Sequence, residues 1–451
     1  MLAALVCAAS SVTAEESPTN SVADPPAPAR SEIKPAAEEP EAAGEQSWNW
    51  HFQNTDIVQG DPAFPAKYSG PNSLNSHGEV KETVSLDLCA GVRLWRGAEA
   101  HVDGLMWQGF GLSKTFGVEG FPNGEAFKVG TAVPNVNFAR VFIRQTIGFG
   151  GERETVEDDA FHLNGKQDVS RLTLTLGRFS VKDVFDNNAY ANDPRGQFMN
   201  WGLMANEAWD YPADPLGYIS GFAAELNQPQ WTLRYGFFQM PRVANGSAID
   251  SHFLDAWGMV TEGERRYAIN RHPGAIRFLA YLNQAHMGSY QAALSVPGVD
   301  IAQTRAYRSK YGVGLNWEQE IMGGLGVFSR LGWSDGRNEA WVFSDVDYAA
   351  SLGLSVKGKP WNRPYDTFGL AGVMSGLSHV HQEFFEAGGT GILAGDGALS
   401  YGWEKILETY YDFQIWKTLH ATADYQFVTD PAFNRDRGPV SVLAARLHWE
   451  F

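Results

Sequence analysis

Between Val181 and Gly217 the chain concentrates side chains able to hold a polyhydroxylated ligand. Asp186, Asn187, Asn188, Asp193, Arg195, Asn200, Asn206 and Glu207 supply carboxylate, amide and guanidinium groups there. Trp201, Trp209 and Tyr211 are interleaved with them. A pyranose presents an apolar C–H face that stacks on an aromatic ring, and hydroxyls that need donors and acceptors together. The chemistry expected of this segment is therefore recognition without bond breaking. The same residues could instead pack the segment onto a wall, so a collective part in a constriction is expected more than any single contact. A second dense insertion, Trp107 to Asn137, carries Gly120-Phe-Pro-Asn-Gly-Glu-Ala-Phe127. Neither insertion reads as a simple polar loop, and both are expected to fold against something, inside a lumen if the chain forms one.

Reactive chemistry finds less support. No Gly-x-Ser-x-Gly elbow occurs, and no compact cluster of His, Ser and acid residues stands out. His379, His381 and Glu383 could converge on a metal ion from one strand face, but they fall in an expected long loop and read as exposed polar residues. Asp345 and Asp347 lack the spacing of a calcium loop. No catalytic residue, metal or cofactor is expected.

The elements that must carry these segments are strands. At the carboxyl end Leu443, Ala445, Leu447, Trp449 and Phe451 alternate with Ala444, Arg446, His448 and Glu450. A period of two puts each set on one face of an extended segment. Leu407, Thr409, Tyr411, Phe413 and Ile415 alternate in the same way with Glu404, Ile406, Glu408, Tyr410, Asp412 and Gln414. After a break at Trp416-Lys417-Thr418, Leu419 to Phe427 repeats the pattern, and a longer polar loop from Thr429 to Pro439 precedes the last strand. Upstream, Leu172, Leu174 and Leu176 oppose Arg171, Thr173 and Thr175, and Trp231, Leu233, Tyr235 and Phe237 oppose Thr232, Arg234 and Gly236. The count of such runs is about sixteen, each near the length that a tilted strand needs to cross a bilayer. The reading is an all-β transmembrane antiparallel barrel, with short turns inside and long loops outside.

Composition agrees. Mean hydropathy is −0.28, and no run of about 18 apolar residues follows the first few positions, which excludes spanning helices but not a barrel. Trp48, Trp50, Trp95, Trp317, Trp333, Trp403 and Trp449 fall near expected strand ends, as in an interfacial aromatic girdle. A soluble sandwich or propeller would need neither this placement nor a strand that runs to a terminal aromatic. The net charge of −17 argues against nucleic acid as a partner. Met1 to Ala14 reads as a signal peptide with small residues before a cleavage site, although the basic region that usually opens one is missing. Residues 15–46, rich in Pro, Ala and Glu, read as a disordered spacer, and the barrel is expected over 47–451. Cys89 is then the single thiol of the mature chain.

If the polar face of each strand points inward, the lumen gathers Arg140, Arg144, Arg171, Arg234, Arg277, Arg330 and Arg446. Asp87, Glu99, Asp103, Glu318, Glu408, Asp412 and Asp424 join them. Both signs are present, so a strong filter for one ion is not expected, and most of these groups could simply keep a channel wet.

The run from Arg171 to Ser180, then Asp186-Asn-Asn-Ala-Tyr-Ala-Asn-Asp-Pro-Arg195, Gln197-Phe-Met-Asn-Trp201 and Trp209-Asp-Tyr-Pro212, resembles the carbohydrate-selective porin (OprB-like) family. The resemblance extends more loosely from about Trp48 to Phe451 and takes in Phe121-Pro-Asn-Gly-Glu125. It implies a barrel in a Gram-negative-type outer membrane, monomeric or trimeric, that passes mono- or oligosaccharides by passive diffusion. It also implies an eyelet narrowed by inward loops and lined by arginine and acidic residues. The alternatives are a general diffusion pore, an exporter of acidic polysaccharide (which the mixed lumen disfavours) and a barrel hydrolase, for which no constellation is evident.

Overall fold

The structure, a computed structural model, describes residues 45–126 and 130–451. The expected leader and nearly all of the spacer lie outside the described residues. Gln46, at the end of that spacer, is described, and its backbone N–H donates to Asn164 O at 3.1 Å.

The alternating segments fold as strands because each buries one face and exposes the other. The first group is β1 (Trp48–Asp61), β2 (Glu79–Trp95), β3 (Ala98–Gly109), β4 (Thr131–Gly148), β5 (Arg153–Val156) and β6 (Gly165–Asp168). Next come β7 (Arg171–Phe179), β8 (Ile219–Asn227), β9 (Trp231–Gln239), β10 (Trp257–Ile269), β11 (His272–Met287) and β12 (Ala306–Met322). The last are β13 (Leu325–Ser334), β14 (Tyr348–Gly358), β15 (Arg363–Gly376), β16 (Glu404–Trp416), β17 (Leu419–Thr429) and β18 (Val440–Glu450). All but β5 and β6, which pair as a separate hairpin, join one closed antiparallel barrel of sixteen strands. The seam is β1 against β18, in register from Gln53↔Glu450 to Gly60↔Leu443. Phe451 reinforces it: its N–H donates to Phe52 O at 3.0 Å, and its ring meets those of Trp50 and Phe52, each with centroids 5.4 Å away.

Outward faces carry the apolar set, such as Leu407, Phe413 and Ile415 on β16 and Leu443, Leu447 and Trp449 on β18, all exposed. Closure leaves no free edge around the seam, as a strand pair in hydrocarbon requires. Trp48, Trp50, Trp95, Trp333 and Trp449 are exposed near strand ends, whereas Trp317 is half-buried and donates to the Tyr267 hydroxyl at 2.7 Å.

Two expectations need correction. The insertion expected over Trp107–Asn137 is only residues 110–130, because β3 runs to Gly109 and β4 starts at Thr131, pairing Trp107 with Asn135. The rule of short turns at the end carrying the termini also has one exception. Residues 149–170, between β4 and β7, lie at that end and include the β5–β6 hairpin.

Inside, the long connections fill the barrel. Its largest buried cluster takes Phe179 and Phe238 from the wall and Phe121, Phe185, Trp201, Trp209, Tyr211 and Trp341 from the loops. The wall makes room with glycine: a Cβ at Gly314 or Gly332 would stand 2.2 or 2.1 Å from the Asn206 side chain, which would have to shift to admit it.

Candidate functional site

The segment between β7 and β8 enters the lumen and is pinned to the wall by charge. Asp186, buried, receives Arg330 Nε at 3.0 Å, Lys182 Nζ at 3.0 Å, Asn316 Nδ2 at 2.7 Å and the Asn206 N–H at 2.9 Å. Burial pushes its carboxyl up, but Arg330 and then Lys182 outweigh that and hold it far below the usual carboxylate range. Its φ of 56° is left-handed, a conformation Asp and Asn tolerate better than most residues. Downstream, Glu408 of β16 accepts the N–H groups of Met199 and Asn200 at 2.6 and 3.0 Å. Asn200 caps a single helical turn, α1 (Trp201–Met204), accepting from Gly202 N at 3.0 Å. Its amide also reaches Gly120 O at 2.7 Å and Gln426 Oε1 at 2.9 Å.

The loop between β3 and β4 is held in the same manner. Glu404 accepts from Glu119 N at 3.1 Å and Gly120 N at 2.8 Å, and Asn123 donates to Thr83 Oγ1 at 2.9 Å. These ties bring Phe121 flat against Trp201, with centroids 5.2 Å apart and planes 11° from parallel. Phe343, from the β13–β14 connection, completes the surface 4.9 Å from Trp201 and 5.2 Å from Tyr211.

Those rings form one side of a cavity of ≈ 300 Å³, and paired charges form another. Arg140 makes a bidentate pair with Asp183, both bonds 2.8 Å, and donates to Asp103 at 2.8 Å. Arg195 reaches Asp87 at 2.7 Å and Glu125 at 3.1 Å. The Arg140 guanidinium also lies over the rings of Phe161 and Tyr218, 4.3 and 5.0 Å from their centroids. Lys182 lines the same space. Burial lowers its ammonium, Asp186 offsets part of that, and it settles at about 8.

Of the residues singled out in the sequence, Arg140, Asp193, Arg195, Trp201 and Tyr211 meet at this cavity. The others lie elsewhere. Asp186 and Arg330 are the anchor just described. Asn187 donates to Val184 O at 3.4 Å and Asn188 to Asn316 Oδ1 at 2.8 Å, so both brace the loop. Trp209 packs on Tyr211 and Phe185, behind the ring surface. Glu207 is buried, and burial followed by Glu404 pushes its carboxyl up to about 8, so it is neutral at pH 7. On the wall, Arg234 pairs with Glu225, Glu262 and Glu264, and Arg277 with Glu264 and Glu318. Arg144 donates to Phe161 O at 2.7 Å and Arg171 to Glu154 at 2.7 Å, both in the 149–170 segment. Arg446 donates to Gln197 O at 2.8 Å. His379 and His381 fall on a helix, α2 (His379–Glu386), where a spacing of two points them apart. His379 is exposed, while His381 is buried with Nδ1 2.9 Å from Asp347.

The sequence reading missed Lys182, Asp183, Tyr218, Phe343 and Phe161. Lys182 and Asp183 carry a usable signal, since they open the same loop as Asp186, Arg195 and Trp201. Phe343 and Phe161 come from connections far away in the chain, and only the fold brings them in.

A family model for the carbohydrate-selective porin, OprB family, matches residues 71–451. No curated protein matches the chain. Among solved structures, the high-pH structure of Pseudomonas putida OprB is similar at 17% identity, covering 90% of this chain and 94% of that one, with a TM-score of 0.69. The low-pH structure of the same protein is 13% identical, covers 90% and 93%, and has a TM-score of 0.49. The outer membrane channel DcaP of Acinetobacter baumannii is 8% identical, covers 91% and 99%, and also has a TM-score of 0.49. At these identities the first likeness speaks for the barrel fold, in agreement with the strand order above.

Proposed function

The chain belongs to the carbohydrate-selective porin family, OprB, and from that premise we propose which of its residues select the sugar. It is an outer-membrane β-barrel through which carbohydrates diffuse passively down their gradient, and its fold and family are those of a channel. We assign the selective step to the cavity where the ring surface of Phe121, Trp201, Tyr211 and Phe343 faces Arg140, Arg195 and their carboxylates. In an outer-membrane barrel the end with short turns faces the periplasm, so the 110–130 and 180–218 loops descend from the outside.

The observation that carries this reading is that stacked rings and ion-paired donor and acceptor groups border one space. A pyranose entering it lays its C–H face on Trp201 and Phe343. Its hydroxyls exchange water for the N–H groups of Arg140 and Arg195 and for the oxygens of Asp183, Asp193 and Glu125. Each arginine already holds carboxylates, so a neutral sugar gains hydrogen bonds without having to part a full ion pair. An ion of either sign meets its own charge there as well as the opposite one. Binding must remain weak enough to release, which suits contacts that substitute for water one at a time.

Liposome swelling with neutral sugars of graded size, compared with charged solutes of equal size, tests the reading. Neutral mono- and disaccharides are expected to enter faster than sugar acids or amino sugars of the same bulk. Equal rates for charged and neutral solutes would leave only a general diffusion pore.

A further inference from the structure

Phe161 reaches the same cavity from the opposite direction. It belongs to the 149–170 segment, at the barrel end that carries the termini, yet it lines the space reached from the other side by Phe121 and Trp201. The wall holds it there. Arg144 donates to its carbonyl at 2.7 Å, Arg140 lies 4.3 Å from its ring centroid, and the Phe142 ring is 6.5 Å away. The turn beneath is closed by its own bonds, Phe161 N to Asp159 Oδ1 at 2.7 Å and Asp159 N to His162 O at 3.1 Å. Asn49 of β1 then clasps that turn, donating to Asp158 Oδ1 at 2.7 Å, Asp159 O at 2.9 Å and His162 O at 3.0 Å. His51, 3.2 Å from Asp158, adds a further tie, and Leu163, two residues on from Phe161, is buried.

We infer that Phe161 is a specificity-determining residue on the exit side of the pore, a ring that narrows the passage below Arg140 and offers the departing sugar a second stacking face. The inference rests on the proposed sugar pathway and deepens it. A turn serving only to join β4 to β7 would need neither an aromatic residue thrust inward nor a three-bond clasp from β1. Because the ring sits on the Arg140 guanidinium, it also fixes the donor that reads the sugar hydroxyls. A pyranose leaving the outer ring surface therefore passes between one aromatic face and the next, with Arg140 common to both.

The test uses the full-length protein in planar bilayers, with maltose or maltotriose added to one compartment at a time. Phe161→Ala is expected to raise the conductance of small ions and to weaken block by sugar from the periplasmic side roughly threefold to tenfold, the size of one ring contact. Phe161→Tyr keeps a ring and is expected to stay near wild type, which separates loss of the ring from misfolding. Asn49→Ala leaves the ring but frees the turn, and is expected to add current noise without a lasting rise in conductance. Unchanged conductance and unchanged two-sided block in Phe161→Ala would overturn the inference. If wild type shows no sugar block while Phe161→Ala still conducts more, Phe161 stands as a constriction and the sugar pathway falls.

Discussion

Replacing Asp186 with Asn should free the eyelet loop without opening the barrel. Asp186 stands among Arg330, Lys182 and Asn316 with almost no contact with solvent. Asparagine keeps the left-handed backbone and one acceptor oxygen but removes the charge. Breaking a buried pair by taking away one partner costs about 3–5 kcal/mol, because the remaining charge stays buried. Here the lower end applies. Lys182 sits at about 8 even with Asp186 present, so in the variant it sheds its proton near neutral pH. Arg330 cannot do the same and bears the loss alone. About 3 kcal/mol is roughly a hundredfold in the docking equilibrium of the 180–218 loop. The strand ladders are untouched, so heat-modifiable migration in gels should remain that of a folded barrel. Single-channel records should then show brief high-conductance openings roughly a hundred times more often than wild type. Acid should act on the wild type in the same direction. The folded Asp186 value lies below the unfolded one near about 3.9, so its contribution is complete above that and fades as pH falls below about 4. The variant should lack that acid response. A quiet channel with wild-type event frequency in Asp186→Asn would refute the anchor.

Lys182 reports from the opposite side of neutrality. With a value near about 8 it loses its charge as pH rises past that point, so the ratio of anion to cation permeability should fall between about pH 7 and 9, and Lys182→Met should abolish the step. Its unfolded value is near about 10.4, so between the two values the unfolded chain binds more protons, and loop docking strengthens as pH rises. Trp201→Ala and Arg195→Ala should each weaken sugar block of single-channel current about threefold to tenfold, and no change would remove that residue from the site. Glu408→Gln should cost the loop about 1–3 kcal/mol, seen as lower thermal stability of the docked loop in proteolysis, because an amide NH2 cannot accept from both Met199 N and Asn200 N.

The barrel was legible because lipid sorts side chains by a rule that a linear pattern records. Every second residue of β16 must be apolar, and Leu407, Phe413 and Ile415 comply while Glu404, Glu408 and Asp412 face inward. Strand ends were harder. Val133 and Val136 of β4 are both exposed, and Pro134 interrupts the alternation, so the start of that strand read as loop. The site was legible as a segment and not as residues. Asp186 and Asp193 belong to the same loop and look alike in sequence, yet one is an anchor and the other lines the cavity. The difference lies in Arg330 and Asn316, 144 and 130 positions further along the chain. Phe161 gave no periodic signal at all, since a lone aromatic in a polar turn acquires meaning only when β1 and β4 bracket it.

The acidic excess also takes on a different physical sense. A net charge of −17 suggests a cation channel, but several of the inward carboxylates hold loops and others pair with wall arginines. Glu404 and Glu408 bind amides of the two eyelet loops, Glu262 accepts from Asp186 N at 2.8 Å, and Glu318 accepts from Ala189 N at 2.7 Å. Asp210 takes the N–H groups of Trp341 and Val342 at 2.9 and 2.8 Å, fixing the segment that supplies Phe343. A loop crossing a lumen brings backbone donors that no strand partner can satisfy, and a carboxylate, with two oxygens and no donor, is the side chain best able to take two neighbouring N–H groups at once. Negative charge accumulates in the wall because the plug needs acceptors. At the cavity Arg140, Arg195 and Lys182 face Asp103, Asp183, Asp87, Glu125 and Asp186, so the carboxylates there are offset in part by cations placed against them.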